Sequence, residues 1–311
     1  MKIAVMGAGG VGGYFGGLLA RHGDEVWLIA RGEHLHALQQ RGLEVQSVMS
    51  GDFRATVQAT NDPQKVGPVD LVLFTVKTYD TDTAAAAIQP LLGPHTVVLT
   101  LQNGIDNAER IGAVIGADRV MAGPVYIGAA IKAPGIIEQH GGPCRIVFGE
   151  VTGGVSERGQ RLLQAFQDAG IVCELSDQVM TALWEKFVFI CAFSGFTALA
   201  RLPIGPIRDF PPLRELYITC LQELYEVAMA SGVSLRTDLV EHIVTLTDAA
   251  TESMKSSLQV DLERGKRLEV DSLQGVVVRL GRRLGVPTPV HTLLYAFLKV
   301  HDAQPVATQD A

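Results

Sequence analysis

The first chemistry-bearing stretch is Gly7-Ala8-Gly9-Gly10-Val11-Gly12, which fits G-x-G-x-x-G directly after the apolar run at 2–6 and at the start of a helical pattern. In that context each glycine has a use. One allows a tight turn, the next lets backbone approach a pyrophosphate, and the third lets the helix pack on its strand. The helix start then offers unpaired N–H groups and a positive dipole end to phosphate. A purely structural turn is the competing reading, and the strand–turn–helix setting favours a dinucleotide site. The next strand ends in Trp27-Leu28-Ile29-Ala30-Arg31. A carboxylate at that tip bonds a free ribose 2′-hydroxyl. Here a guanidinium stands instead, suited to the charge-assisted hydrogen bonds of a 2′-phosphate. NADP(H) is therefore expected over NAD(H), against the plainer reading of Arg31 as an exposed loop arginine.

Five further polar residues are candidates. Lys77 follows the apolar run 71–76 and Asn103 lies in Leu101-Gln102-Asn103-Gly104 after the next one, both at carboxyl ends of strands where α/β sheets bind ligands. Alone, Lys77 reads as a solvated lysine and Asn103 as part of an Asn-Gly turn. Their common sheet edge with the glycine turn points to a shared site. Lys186, in Leu183-Trp184-Glu185-Lys186-Phe187, opens the most apolar segment of the chain. Such a lysine either snorkels to water or, partly desolvated, has a lowered pKa and serves as a general acid. Ser257 and Glu269 would be far apart on one unbroken helix, but Gly265 between them is a natural stop that lets the chain bend back. On its residues alone Glu269 reads as an exposed carboxylate.

The elements that must position these groups fall into two kinds. Strands are expected at 2–6, 25–30, 70–76, 96–100, 120–131, 136–140, 145–149 and 171–175, with helices at 11–22, 33–40, 81–89, from 105 and at 157–169. Residues 43–48 and 53–59 read as an added hairpin. This alternation gives an α/β fold with a doubly wound parallel sheet. Beyond residue 176 the pattern is helical only, at 213–230, 239–247, 251–264, 272–284 and 290–300. Two domains follow, 1–176 for the dinucleotide and 177–311 all-helical, with a ligand cleft expected at their junction. Residues 302–311 read as a frayed tail.

The 26 Lys and Arg against 33 Asp and Glu give a net charge of −7, so nucleic acid and anionic membrane surfaces are poor partners. The four cysteines, Cys144, Cys173, Cys191 and Cys220, form no CxxC pair, which fits reduced thiols and a cytoplasmic protein. The apolar run 187–200 is 14 residues long, short of the ~20 needed to cross a bilayer, and reads as a buried core helix. Helix 213–230 serves either a homodimer face or the core.

Taken together, these residues resemble the ketopantoate reductase (2-dehydropantoate 2-reductase) family over essentially the whole chain. The matching pieces are Gly7 to Tyr14, Ala30-Arg31, Thr75-Val76-Lys77, Leu101 to Gly104, Leu183 to Lys186, Ser256-Ser257-Leu258, Gly265 to Asp271 and Gly285 to Pro289. The resemblance implies a Rossmann-type domain followed by a helical one, and NADPH-dependent reduction of a small-molecule 2-oxo acid. It implies that Lys186 protonates the substrate carbonyl oxygen and that Glu269 and Ser257 help hold the substrate. Lys77 and Asn103 would serve the cofactor and the reacting centre. Where the family carries asparagines four, eight and eighteen residues after the lysine, this chain has Ile190, Ser194 and Ile204. Ser194 is then the remaining polar candidate for substrate contact, and the isoleucines add apolar wall where donors are lost. Three functions are open at this point: ketopantoate reduction, reduction of a more apolar keto acid or ketone, and NADPH sensing without turnover.

Overall fold

The computed structural model describes residues 1–303. Along the chain lie β1 (Lys2–Met6), α1 (Gly10–His22), β2 (Glu25–Ile29), α2 (Gly32–Arg41), β3 (Leu43–Ser47), β4 (Phe53–Ala55), β5 (Gln58–Thr60), β6 (Val69–Phe74), α3 (Thr81–Ala87), β7 (Leu92–Thr100) and α4 (Asn107–Ile115). They are followed by β8 (Val120–Ala122), β9 (Val125–Ala133), β10 (Ile136–Glu150), α5 (Glu157–Asp168) and β11 (Val172–Leu175). The remainder is helical: α6 (Val179–Ala200), α7 (Ile204–Asp209), α8 (Pro211–Ala230), α9 (Leu239–Ala249), α10 (Ser257–Glu263), α11 (Gln274–Leu284) and α12 (Pro289–Ala303). Of the tail expected to fray, 302–311, the part from 304 on lies outside the described residues.

The chain divides into two compact units, one of residues 1–102 and 106–182, the other of 103–105 and 183 onward. This division falls after Ala182, within the first turn of α6. The cause is packing: Val179 and Met180 belong to the apolar cluster of Val72, Phe74 and Val98 in the first unit.

In the first unit β5, β2, β1, β6, β7 and β8 form a parallel run in that order, with every neighbouring pair parallel. Each central strand buries both faces. Ile3, Val5, Leu71, Leu73 and Leu99 enter one apolar cluster, while Ala4, Val72, Phe74 and Val98 enter the other. Near-continuous apolar strands of this kind require helices on both sides of the sheet. The order reverses between β1 and β6, which makes that edge the crevice of the doubly wound plan.

The sheet departs from expectation where it is elaborated. Segment 53–59 splits, β4 pairing antiparallel with β3 and β5 leaving to pair parallel with β2. Segment 120–131 breaks at Gly123-Pro124, so that β8 extends the parallel run and β9 pairs antiparallel with β10. Proline has no N–H to continue a ladder. The two strands expected at 136–140 and 145–149 are one bent strand, β10, with register shifts between Gln139 and Arg145 and a left-handed Cys144 at φ 51°.

Helix α6, which passes from the first unit into the second, runs for 22 residues, longer than its apolar run suggested, and by length and composition alone could span a membrane. Its Trp184, Phe187, Val188, Cys191 and Ala192 are buried in protein, as a core helix requires. The helix expected at 251–264 begins only at Ser257, because Ser256 is its N-cap and accepts from Gln259 N at 3.1 Å. Helix α7, which the sequence pattern did not single out, starts after Pro203. Glu223 of α8 accepts from the N–H groups of Val290 and His291 at 2.8 and 3.1 Å, so a buried carboxylate caps α12.

Candidate active site

Strand register brings the candidates of the first unit to one edge. Met6 pairs with Ile29 and with Phe74, and Phe74 with Thr100, so four strands end on a single row. The chain leaves that row into Gly7, Ala30-Arg31, Thr75-Val76-Lys77 and Leu101-Gln102-Asn103. Because every strand of the run points the same way, their carboxyl ends fall on one edge.

At Gly7 the backbone adopts φ +104°, and an added Cβ would lie 2.8 Å from Val76 N, so only glycine fits. At Gly12 a Cβ would stand 2.4 Å from Gly7 O. At Gly10 it would stand 2.2 Å from Ala129 O, where β9 backs the start of α1. Gly9, the N-cap of α1, has nothing within 4 Å of that position, and it is here that a ligand can come close to backbone. No side chain of the described residues caps α1 and no acid lies in its first turn, so the N–H groups of Gly10, Val11 and Gly12 suit an anion. Ala8 is buried between them, and its carbonyl meets His34 Nε2 at 2.9 Å. These features fit the diphosphate of a dinucleotide.

Arg31 is the N-cap of α2, with 82% of its side chain exposed and an ion pair to Asp80 at 2.9 Å. Lys77 is partly buried and precedes a short 3₁₀ turn, Thr78–Asp80. Gln102 was not singled out from the sequence, yet it pins this edge. Its Nε2 donates to Val76 O and to Thr81 Oγ1, each at 2.9 Å, while its Oε1 accepts from Thr100 Oγ1 at 3.0 Å. A glutamine beside an Asn-Gly turn gives no sequence signal of that role.

In the second unit Lys186 Nζ donates to Asn103 Oδ1 at 2.8 Å. Burial pulls the Lys186 ammonium down to a pKa of about 8, while the charge of Glu269 pulls it the other way. Glu269 is thus no exposed carboxylate: it is 8% exposed and faces an ammonium. The chain delivers it as Gly265 suggested, with α10 ending at Glu263 and Gly265 turning at φ +62°. Lys186, Asn103 and Glu269 therefore form one cluster.

The other candidates stand differently. Ser257 is exposed on the first turn of α10, whereas its neighbour Ser256 is buried and accepts from Thr197 Oγ1 at 2.7 Å. Ser194 is buried, donates to Cys191 O at 3.2 Å and accepts from Gln274 Nε2 at 3.3 Å, which leaves it no proton to offer a ligand. Ile190, one helical turn beyond Lys186, is partly buried, and Ile204 is fully so.

Comparison with known proteins identifies the family. Residues 3–153 match the model of the ketopantoate reductase PanE/ApbA family, and residues 178–302 match the model of that family's C-terminal domain. The chain belongs to the ketopantoate reductase family. It is 34% identical over 292 residues to a 2-dehydropantoate 2-reductase of Halobacterium salinarum, covering 93% of this chain and 95% of the relative. It is 30% identical over 303 residues to one of Pyrococcus horikoshii, covering 97% and 98%. A crystal structure of a PanE/ApbA family ketopantoate reductase from Ralstonia eutropha superposes with a TM-score of 0.90 at 37% identity, covering 97% of this chain and 98% of the other. The chain is accordingly an oxidoreductase of the C=O/CH–OH class that acts on a small-molecule oxo acid with a pyridine nucleotide.

Proposed function

We propose that the protein reduces ketopantoate or a closely related 2-oxo acid to the 2-hydroxy acid with NADPH, and that Lys186 is the proton donor. The observation that carries this reading is the clustered ammonium: Lys186 bound to Asn103 at 2.8 Å, facing Glu269, with a pKa of about 8. A lysine with that pKa is about 90% protonated at pH 7 and still a far better acid than an ordinary one.

The residues that would hold the nucleotide are Gly7 to Gly12, whose open N–H groups receive the diphosphate, and Arg31, whose guanidinium suits the 2′-phosphate. An exposed pair such as Arg31 with Asp80 is worth about 0–1 kcal/mol, so exchanging it for a phosphate costs little. Lys77 adds positive charge at the same edge. NADPH, when bound, supplies the hydride that reduces the carbonyl carbon. Lys186 gives its proton to the carbonyl oxygen, completing C=O to CH–OH, and its charge stabilises the oxyanion as it develops. Asn103 Oδ1 holds the ammonium in place, and Glu269 keeps it protonated at neutral pH. Ser257 is placed with the substrate only through the family resemblance.

A second reading has Ile190 behind it. On α6 it projects from the same side as Lys186, one turn on, and offers an apolar wall. That favours an oxo acid whose side chain lacks a hydroxyl. Following NADPH consumption with a panel of 2-oxo acids tests both readings. Ketopantoate at the head of the panel supports the first, and branched or aryl oxo acids at its head support the second. Tight NADPH binding with no turnover across the panel supports a sensor and refutes both.

A further inference from the structure

The glycine turn is held from outside by a side chain with no place in the reaction. His34, on the first turn of α2, has Nδ1 3.0 Å from Gly135 N and Nε2 2.9 Å from Ala8 O. A backbone N–H only donates, so Nδ1 accepts; the ring proton is then on Nε2 and goes to the Ala8 carbonyl. Only the neutral imidazole in this one tautomer makes both bonds, because an imidazolium has no acceptor. Burial lowers the pKa of His34 and so favours that neutral form.

We infer that His34 is a positioning residue of the dinucleotide site, holding the Ala8 carbonyl from α2 through its Nε2–H and thereby fixing the peptide planes that open α1, while the Gly135 N–H selects the tautomer that carries that proton. The inference rests on the reading that the glycine turn holds the pyridine nucleotide. Three features make the tie necessary. The Ala8–Gly9 peptide is fixed at its N–H by the bond from Gly9 N to Gly7 O at 2.8 Å and at its carbonyl by His34, since Gly9 itself is conformationally free. A flip would turn a carbonyl, with its negative end, toward the place where the N–H groups must meet an anion. The bonds from the turn to the end of β2 are long, with Gly7 N and Ala8 N sharing Ile29 O at 3.3 Å each. The β9–β10 hairpin also backs the turn directly where Ala129 approaches Gly10, and its Gly135 N–H fixes which nitrogen of His34 carries the proton for Ala8.

Two substitutions separate this role from general support of the fold. In His34→Gln the amide N–H replaces Nε2 and keeps the bond to Ala8 O. In His34→Asn the amide oxygen replaces Nδ1 and keeps the bond to Gly135, while the bond to Ala8 is lost. NADPH dissociation constants, read from nucleotide fluorescence, and kcat at saturating NADPH are measured for both. The expected result is about tenfold weaker NADPH binding in His34→Asn with kcat within twofold of wild type, and binding within about threefold of wild type in His34→Gln. Equal affinities in all three proteins, or equal losses in both variants, overturn the inference. Failure of the underlying cofactor reading shows separately, as a wild-type protein that does not bind NADPH, and takes the inference with it.

Discussion

The depressed pKa of Lys186 fixes how activity must vary with pH. An acid works only while protonated, and burial moves this ammonium from 10.5 to about 8. At pH 9.5 about 3% of Lys186 remains protonated, against about 90% for an unperturbed lysine. The kcat/KM for the 2-oxo acid should therefore be nearly level from about pH 6 to 7 and fall tenfold per unit well above about 8, reaching roughly one thirtieth of its plateau at pH 9.5. Glu269→Gln removes the charge that opposes the depression, so the falling limb should move about a unit toward acid. Folding responds to the same group with the opposite sign. Between pH 8 and 10.5 the unfolded chain holds the proton and the native one does not, so this lysine's contribution to stability rises with pH while activity falls. Unfolding by this group then cannot account for the activity loss. The assay is initial-rate NADPH oxidation at saturating NADPH and oxo acid well below its KM, with activity on return to pH 7 as control. A rate that stays level to pH 10, or an identical falling limb in Lys186→Ala, refutes the assignment.

Three further outcomes follow from named contacts. Arg31→Ala should raise the KM for NADPH about 10- to 100-fold and leave that for NADH nearly unchanged, by loss of a charge-assisted phosphate contact; steady-state kinetics with both nucleotides decides. Gly7→Ala places a Cβ 2.8 Å from Val76 N at φ +104° and should abolish NADPH binding while costing more than about 1 kcal/mol of stability; calorimetric titration and urea unfolding report the two effects. Glu223→Leu strips the cap from α12 and the 2.7 Å partner from His291 Nδ1, with the Glu223 and His291 side chains both buried, and should cost about 3 kcal/mol. Urea unfolding that matches wild type would sink that last estimate.

What could be read from the sequence was whatever is local or repeats by rule. The glycine turn is six consecutive residues between a strand and a helix, and its meaning survives without tertiary knowledge. Arg31, Lys77 and Asn103 were placed on one edge because successive parallel strands must end together. Lys186 stood out because it is a cation in the most apolar segment. Glu269 was legible only through family resemblance, since its burial beside Lys186 depends on a chain reversal at Gly265 and on packing against a distant helix. Nothing local marked His34, whose partners are backbone atoms of Ala8 and Gly135. The bent β10 and the split at Gly123-Pro124 were missed for a related reason: they interrupt the alternation, and their pairing is set by partners far along the chain. That α6 begins packed in the first unit's core is likewise something an apolar pattern does not reveal.

The most direct test of the chemistry is the fate of the transferred hydride. Given NADPH carrying deuterium at the reactive nicotinamide carbon, together with the best 2-oxo acid of the panel, wild-type protein should yield a 2-hydroxy acid labelled at C2. Lys186→Ala should bind the nucleotide as tightly and form the labelled product at least 100-fold more slowly. An unlabelled product, or labelled product formed at the wild-type rate by Lys186→Ala, contradicts the account.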